Sequence, residues 1–211
     1  MHLSRGNWAS ARQCFDEGSR LSERYHIDFF VPIHACGLGE ALLELGDLAD
    51  AERYLLRALE RSRSADNPVI AVTAEANLGR IATLRGDRAG ALERLRSAAR
   101  AAGERGWTNM CLHISMLLGE WLRERGAIKD AALVWRMVAA HPMADAGMRD
   151  RALGWGLALK PAPALQTREA VEPITLTAVM DWLVFAGDSS GSDPYLSRDG
   201  VLFRQNSPKP A

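Results

Sequence analysis

The sequence predicts an all-α array of antiparallel helix pairs, and three spacings predict it. Gly6, Gly46, Gly86 and Gly126 fall 40 residues apart. Ala11, Ala51, Ala91 and Ala131 follow them by five residues, and Gly39, Gly79 and Gly119 precede the last three by seven. A strict period of this length is the mark of a repeat architecture, in which each unit buries its apolar face against its neighbours. It places function on a surface rather than in a catalytic pocket.

The second unit shows why each element forms. His34 to Leu45 (HACGLGEALLEL) carries apolar residues at helical spacing, Gly46-Asp47 interrupts the pattern, and Leu48 to Leu59 (LADAERYLLRAL) resumes it. Glycine past a helix end accommodates a left-handed residue without strain. Asp47 can then cap the next helix, and Asp50 adds charge where the helix dipole favours it. The third unit repeats this with Asn77 to Leu84, Gly86-Asp87 and Ala89 to Ala101; the fourth has Leu117 to Arg125, Gly126 and Ile128 to Ala139. Ala127 stands at the fourth cap position, which makes that turn the least rigid. Between units, Asn67-Pro68 reads as a cap followed by proline in the first turn, with Asp28 and Thr108 as caps at the equivalent places.

The resulting organisation is a half repeat at 6–22, repeats at 28–63, 68–103 and 108–140, and a capping helix at 144–159. The half repeat supplies only a second helix, Trp8 to Leu21. A second helix without its partner leaves an apolar face uncovered. The chain therefore reads as the C-terminal part of something longer, with an upstream effector domain, or as a homodimer paired through that helix. Pro161, Pro163 and Pro173 mark a linker. Ile174 to Ala186 is apolar enough for one short helix or strand, with Thr175 as a helix cap, and packing on the array is expected. Gly187 to Ala211 is rich in Gly, Ser, Asp and Pro and reads as disordered.

Gly39, Gly79 and Gly119 stand inside helices, where each costs about 1 kcal/mol relative to alanine. Close helix approach is the simplest compensation, with each glycine facing Ala51, Ala91 or Ala131. The runs Gly39, Gly46, Ala51, Leu55, Ala58, then Gly79, Gly86, Ala91, Leu95, Ala98, then Gly119, Gly126, Ala131, Trp135, Val138 resemble the tetratricopeptide repeat. Val138 departs from the small residue of that pattern, and the period of 40 exceeds the family's usual 34. The resemblance covers residues 6 to about 140 and implies a right-handed α-solenoid. The long period, together with His141-Pro142 and the closing helix Asp145 to Leu159, is similar to arrays at the C-terminal end of bacterial LuxR-type and NTPase signalling regulators. That likeness implies a cytoplasmic sensor or scaffold in transcription regulation or signal transduction. A free-standing adaptor mediating protein–protein assembly is the alternative.

Composition narrows the partners. The chain has 211 residues, 47% of them hydrophobic, with 26 basic against 26 acidic side chains. A neutral balance gives no support for nucleic acid or acidic lipid. No run of 18 apolar residues would span a membrane, and Met1 to Asn7 lacks the apolar segment of a secretory signal. Cys14, Cys36 and Cys111 are odd in number and scattered, which fits a reducing compartment.

The chemistry-bearing residues form no familiar constellation. There is no CxxC, HExxH or His pair at helical spacing, and no phosphate loop. Gly37-Leu38-Gly39 lies within a helix and lacks the strand that a dinucleotide loop needs. Cys14, Cys111 and His113 would matter for catalysis only with a base beside the thiol. No enzyme, cofactor or metal is therefore expected.

If the resemblance holds, the first helix of each pair lines a groove for a protein, a peptide or a small ligand. Glu40, Arg80 and Glu120 follow the three in-helix glycines and alternate in sign. A ladder of ion pairs between repeats is the plainer reading; a polar recognition strip is the functional one. Glu44, His113 and Arg123 fall at neighbouring groove registers, and Trp121 would be an anchor if partly exposed. Arg57, Arg61 and Arg63 read as a solvated outer face, and Tyr54, Trp107 and Trp135 as packing residues.

Overall fold

A computed structural model describes residues 7–158 and 174–185. Among these residues the chain is all-α, with helices α1 (Trp8–Arg24), α2 (Val31–Glu44), α3 (Leu48–Ser64), α4 (Pro68–Leu84), α5 (Arg88–Glu104), α6 (Thr108–Glu124), α7 (Ile128–Ala140), α8 (Ala146–Ala158) and α9 (Leu176–Phe185). The chain divides into two compact units, residues 1–101 and 102–211, and the division falls near the end of α5.

The 40-residue period resolves into two nearly identical halves. Six turns carry a left-handed residue 20 positions apart: His26 (φ 53°), Gly46 (86°), Asp66 (47°), Gly86 (80°), Gly106 (65°) and Gly126 (82°). After each, the next backbone N–H bonds five residues back: Ile27 to Ser22, Asp47 to Leu42, Asn67 to Ser62, Asp87 to Ala82, Trp107 to Ala102 and Ala127 to Leu122, all at 2.8–3.0 Å. This closure satisfies carbonyls that a helix end leaves open. At three of the turns the residue donating this N–H also caps the next helix with its side chain. Asp47 accepts from Asp50 N at 3.2 Å, Asn67 from Ile70 N at 3.3 Å and Asp87 from Gly90 N at 3.0 Å.

Two expectations about helix caps need correction. α2 begins at Val31 behind Phe30, so Asp28 sits in the preceding turn, where its carbonyl accepts from Val31 N. Thr108 is the first residue of α6, and its N-cap is Trp107, which makes no side-chain cap bond. The first helices of the third and fourth units run from Pro68 and Thr108. Ala127 indeed offers no side-chain cap to α7.

In unit 1, α1 packs on α2, α2 on α3, α3 on α4, and α2 also meets α4. The core is Leu38, Leu42, Leu55, Leu78 and Ile81 with small residues between them. The in-helix glycines permit the crossings. A Cβ on Gly39 would stand 2.7 Å from Leu55 Cγ and 3.2 Å from the Ala51 carbonyl; on Gly79 it would meet Leu95 Cγ at 3.2 Å and the Ala91 carbonyl at 3.3 Å. The alanine is therefore a partner, but the tighter contact is the apolar residue four places later. At the α1–α2 crossing, Phe15 lies over Gly37 and His34 over Gly18.

In unit 2, α6 packs on α7 and α7 on α8. Trp135 is fully buried. Its indole N–H donates to the Met116 carbonyl at 3.1 Å, and the ring fills the space that the missing Cβ of Gly119 leaves. Trp155 of α8 meets it edge-on at 5.5 Å. Asp145 caps α8 by accepting from Met148 N at 2.7 Å. The apolar segment near 174–186 is a helix, and Thr175 caps it by accepting from Ala178 N at 3.1 Å. It packs on α6 and α7, as expected. The linker at 160–173 and the tail at 187–211 lie outside the described residues.

Candidate functional site

The groove registers of α2 and α4 come together within unit 1. Along α2 the run Cys36, Glu40, Leu43 and Glu44 follows one face at helical spacing, and Thr73, Asn77, Arg80 and Thr83 do the same on α4. Two polar links join the helices across this face. Asn77 Nδ2 donates to Glu40 Oε1 at 2.9 Å and to its own helix at Thr73 O at 3.1 Å. Arg80 donates to Glu44 Oε1 at 2.7 Å, with side chains 12% and 22% exposed. Behind this face Arg94 of α5 donates to Glu75 at 3.0 Å. The strip is half-buried, charged and set among apolar neighbours. Such groups orient a partner's polar atoms while the apolar residues around them supply contact area.

The structure gives Arg80 a bond to Glu44 and gives Glu40 one from Asn77. Asn77 escaped sequence reasoning; an amide inside an apolar helical run was its only signal. Ser22 and His34 escaped it too. The Ser22 hydroxyl lies 2.8 Å from Gly18 O and 2.9 Å from His34 Nδ1, within hydrogen-bond distance of both. Burial lowers the His34 pKa, and a backbone bond to Gly18 opposes the shift.

The remaining candidates lie on α6 in unit 2. His113 is half-buried, Glu120 is buried, and Arg123 pairs with Glu124 at 2.7 Å. Trp121 is 2% exposed, and the Arg125 guanidinium lies over its ring at 4.4 Å. This corrects the expectation of a partly exposed anchor: α6 is buried at every position from Ile114 to Leu122. Tyr54 and Trp107 are half-buried, each beneath an arginine, Arg53 at 4.4 Å and Arg105 at 5.4 Å.

Residues 30–104 match the tetratricopeptide repeat family model. The match spans α2 to α5 and supports a tetratricopeptide array there, a repeat that generally mediates protein–protein interactions. No curated protein and no solved structure matches the chain.

Two of the three thiols are buried. Burial, then the charge of Glu40, push the Cys36 thiol well above its ordinary value, and burial raises Cys111 as well. A raised pKa suppresses the thiolate that a nucleophile needs. His113 stands two residues beyond Cys111, a spacing that does not bring helix side chains together. Among the described residues no group of three or more His, Cys, Asp or Glu is placed to hold a metal. Among the same residues no helix is long and apolar enough to cross a membrane. Unit 1 also has a cleft of about 480 Å³ between α1, α2 and α3, with Leu38, Leu42, Leu45 and Tyr54 beside Arg12 and Asp16.

Proposed function

We propose that this chain is a non-catalytic binding module that takes a protein or peptide along the α2/α4 face. The observation that supports this reading is the strip of half-buried Glu40, Glu44 and Arg80 around buried Asn77, on α2 and α4 of the segment that matches the tetratricopeptide model. Arg80 bonds Glu44, and Glu40 accepts from Asn77, so charged and polar atoms line this face together. A partner with a backbone N–H, an amide or a basic side chain flanked by apolar residues suits this strip. Hydrogen-exchange footprinting of the full chain with a peptide selected against it tests the site. Protection centred on α2 and α4 is the expected result; protection confined to α1 and α3 would contradict it.

The same module serves, in this reading, as the sensor or scaffold part of a bacterial cytoplasmic regulator. The 40-residue period and the closing helix after His141-Pro142 support it. Partner binding would change the packing between adjacent helix pairs, which neighbour-only contacts make easy. Immunoblotting the native protein separates this reading from a free-standing adaptor. A band far above 23.1 kDa is expected for the regulator, and one at 23.1 kDa for the adaptor.

A further inference from the structure

The repeat allows one part of unit 1 to be compared with another. Positions on α1 and α2 recur 40 residues later on α3 and α4. At the α3–α4 crossing, Glu52 and Arg85, the C-cap residue of α4, form an ion pair at 2.7 Å. The equivalent residues at the α1–α2 crossing are Arg12 and Leu45, the C-cap residue of α2. The acid is replaced by a base, and its basic partner by a leucine that is 46% exposed. The link that ties the second crossing is therefore lost at the first.

The cleft of about 480 Å³ lies at this place, with Arg12 and Leu45 both in its lining. Buried Leu38 and Leu42 continue the apolar wall beside the guanidinium. Two carboxylates also line the cleft, and each already has a cation. Asp16 pairs with Arg20, and Asp50 with Arg53. Arg12 is exposed and makes no ion pair among the described residues. The one uncommitted charge in the lining is thus positive. A guanidinium presents a planar fork that matches a carboxylate through two parallel hydrogen bonds. A volume of this size with few polar groups against an apolar wall is that of a small-molecule site.

We propose that the cleft between α1, α2 and α3 binds a small amphiphilic carboxylate, a medium-chain alkyl acid. Its carboxylate pairs with Arg12, and its chain lies on Leu38, Leu42 and Leu45. A small inorganic anion would gain nothing from the leucines, and an alkyl cation would meet the Arg12 charge. The site uses none of Glu40, Asn77 and Arg80, so it and the α2/α4 reading can fail separately.

Octanoate is the probe, titrated into the full-length chain with labelled leucine methyl groups and followed by NMR. Octylamine and octanol are controls of equal chain length. Octanoate is expected to shift the Leu42 and Leu45 methyl resonances and to bind at least tenfold more tightly than either control. Arg12→Glu with Leu45→Arg transplants the pair of the next crossing, and is expected to weaken octanoate binding at least tenfold at unchanged helicity. Arg12→Gln removes the charge from an exposed position, and is expected to weaken binding at least fivefold; it decides the matter if the double variant fails to fold. Unshifted Leu42 and Leu45 methyls, octylamine binding as tightly as octanoate, or undiminished affinity in Arg12→Gln overturns the proposal.

Discussion

Arg80 on α4 donates to Glu44 on α2 across 2.7 Å, and this link ties two successive first helices at the face where a partner would lie. Both side chains are mostly covered, so the pair lies between an exposed ion pair and a fully buried one. Reversing one charge, Arg80→Glu, places two carboxylates together and lowers stability by about 1–3 kcal/mol. The exchanged pair, Glu44→Arg with Arg80→Glu, recovers most of that loss in chemical denaturation. A double variant no better than the single one would show that the two residues are not coupled.

Gly119 is bare because Trp135 occupies the space a side chain would need. Gly119→Ala forces the buried indole from its bond with Met116 O and costs about 1–3 kcal/mol or more. Pairing it with Trp135→Leu makes the alanine far better tolerated than it is against tryptophan. Gly79→Leu costs a similar amount at the α4–α5 crossing, where Leu95 Cγ and the Ala91 carbonyl already stand at contact distance. Thermal melting of these variants checks both, and an unchanged melting temperature would contradict the close-packing account.

His26 and Asp66 take the left-handed conformation that glycine takes at the other four turns. His26→Gly is expected to stabilise the chain by about 0.5–1 kcal/mol, and Asp66→Gly by less, since aspartate tolerates that region better. Gly46→Ala works in the opposite direction, by about 1 kcal/mol. Denaturant midpoints compare all three.

The three thiols should separate by accessibility. Cys14 is exposed, whereas Cys36 and Cys111 are buried with raised pKa values. Timed alkylation of the native chain at neutral pH, read by mass spectrometry, is expected to label Cys14 first, with the other two following only as the chain opens. Rapid labelling of Cys111 would revive a nucleophilic role for it.

The fold was legible because one kind of residue marks one kind of constraint. Gly46, Gly86 and Gly126 mark left-handed turns, and Gly39, Gly79 and Gly119 mark crossings. The hidden half-period was not legible, because His26, Asp66 and Gly106 share a conformation without sharing a side chain. Phe30 and Trp107 took the cap positions expected nearer Asp28 and Thr108, since the five-residue backbone closure fixes where each turn ends irrespective of the side chain at hand. At the candidate site, Glu40 and Arg80 were visible by register. Asn77 was not, because an amide between two helices answers to three-dimensional neighbours alone. Burial of Trp121 and the return of α9 to α6 likewise depend on contacts distant in sequence.

The central claim is that binding runs through the α2/α4 strip, and one affinity comparison tests it most directly. A peptide selected on the wild-type chain is titrated by fluorescence anisotropy into wild-type and Arg80→Glu proteins, with helicity followed by circular dichroism. The account predicts at least tenfold weaker binding to Arg80→Glu at unchanged helicity. Equal affinity for the two proteins would contradict it.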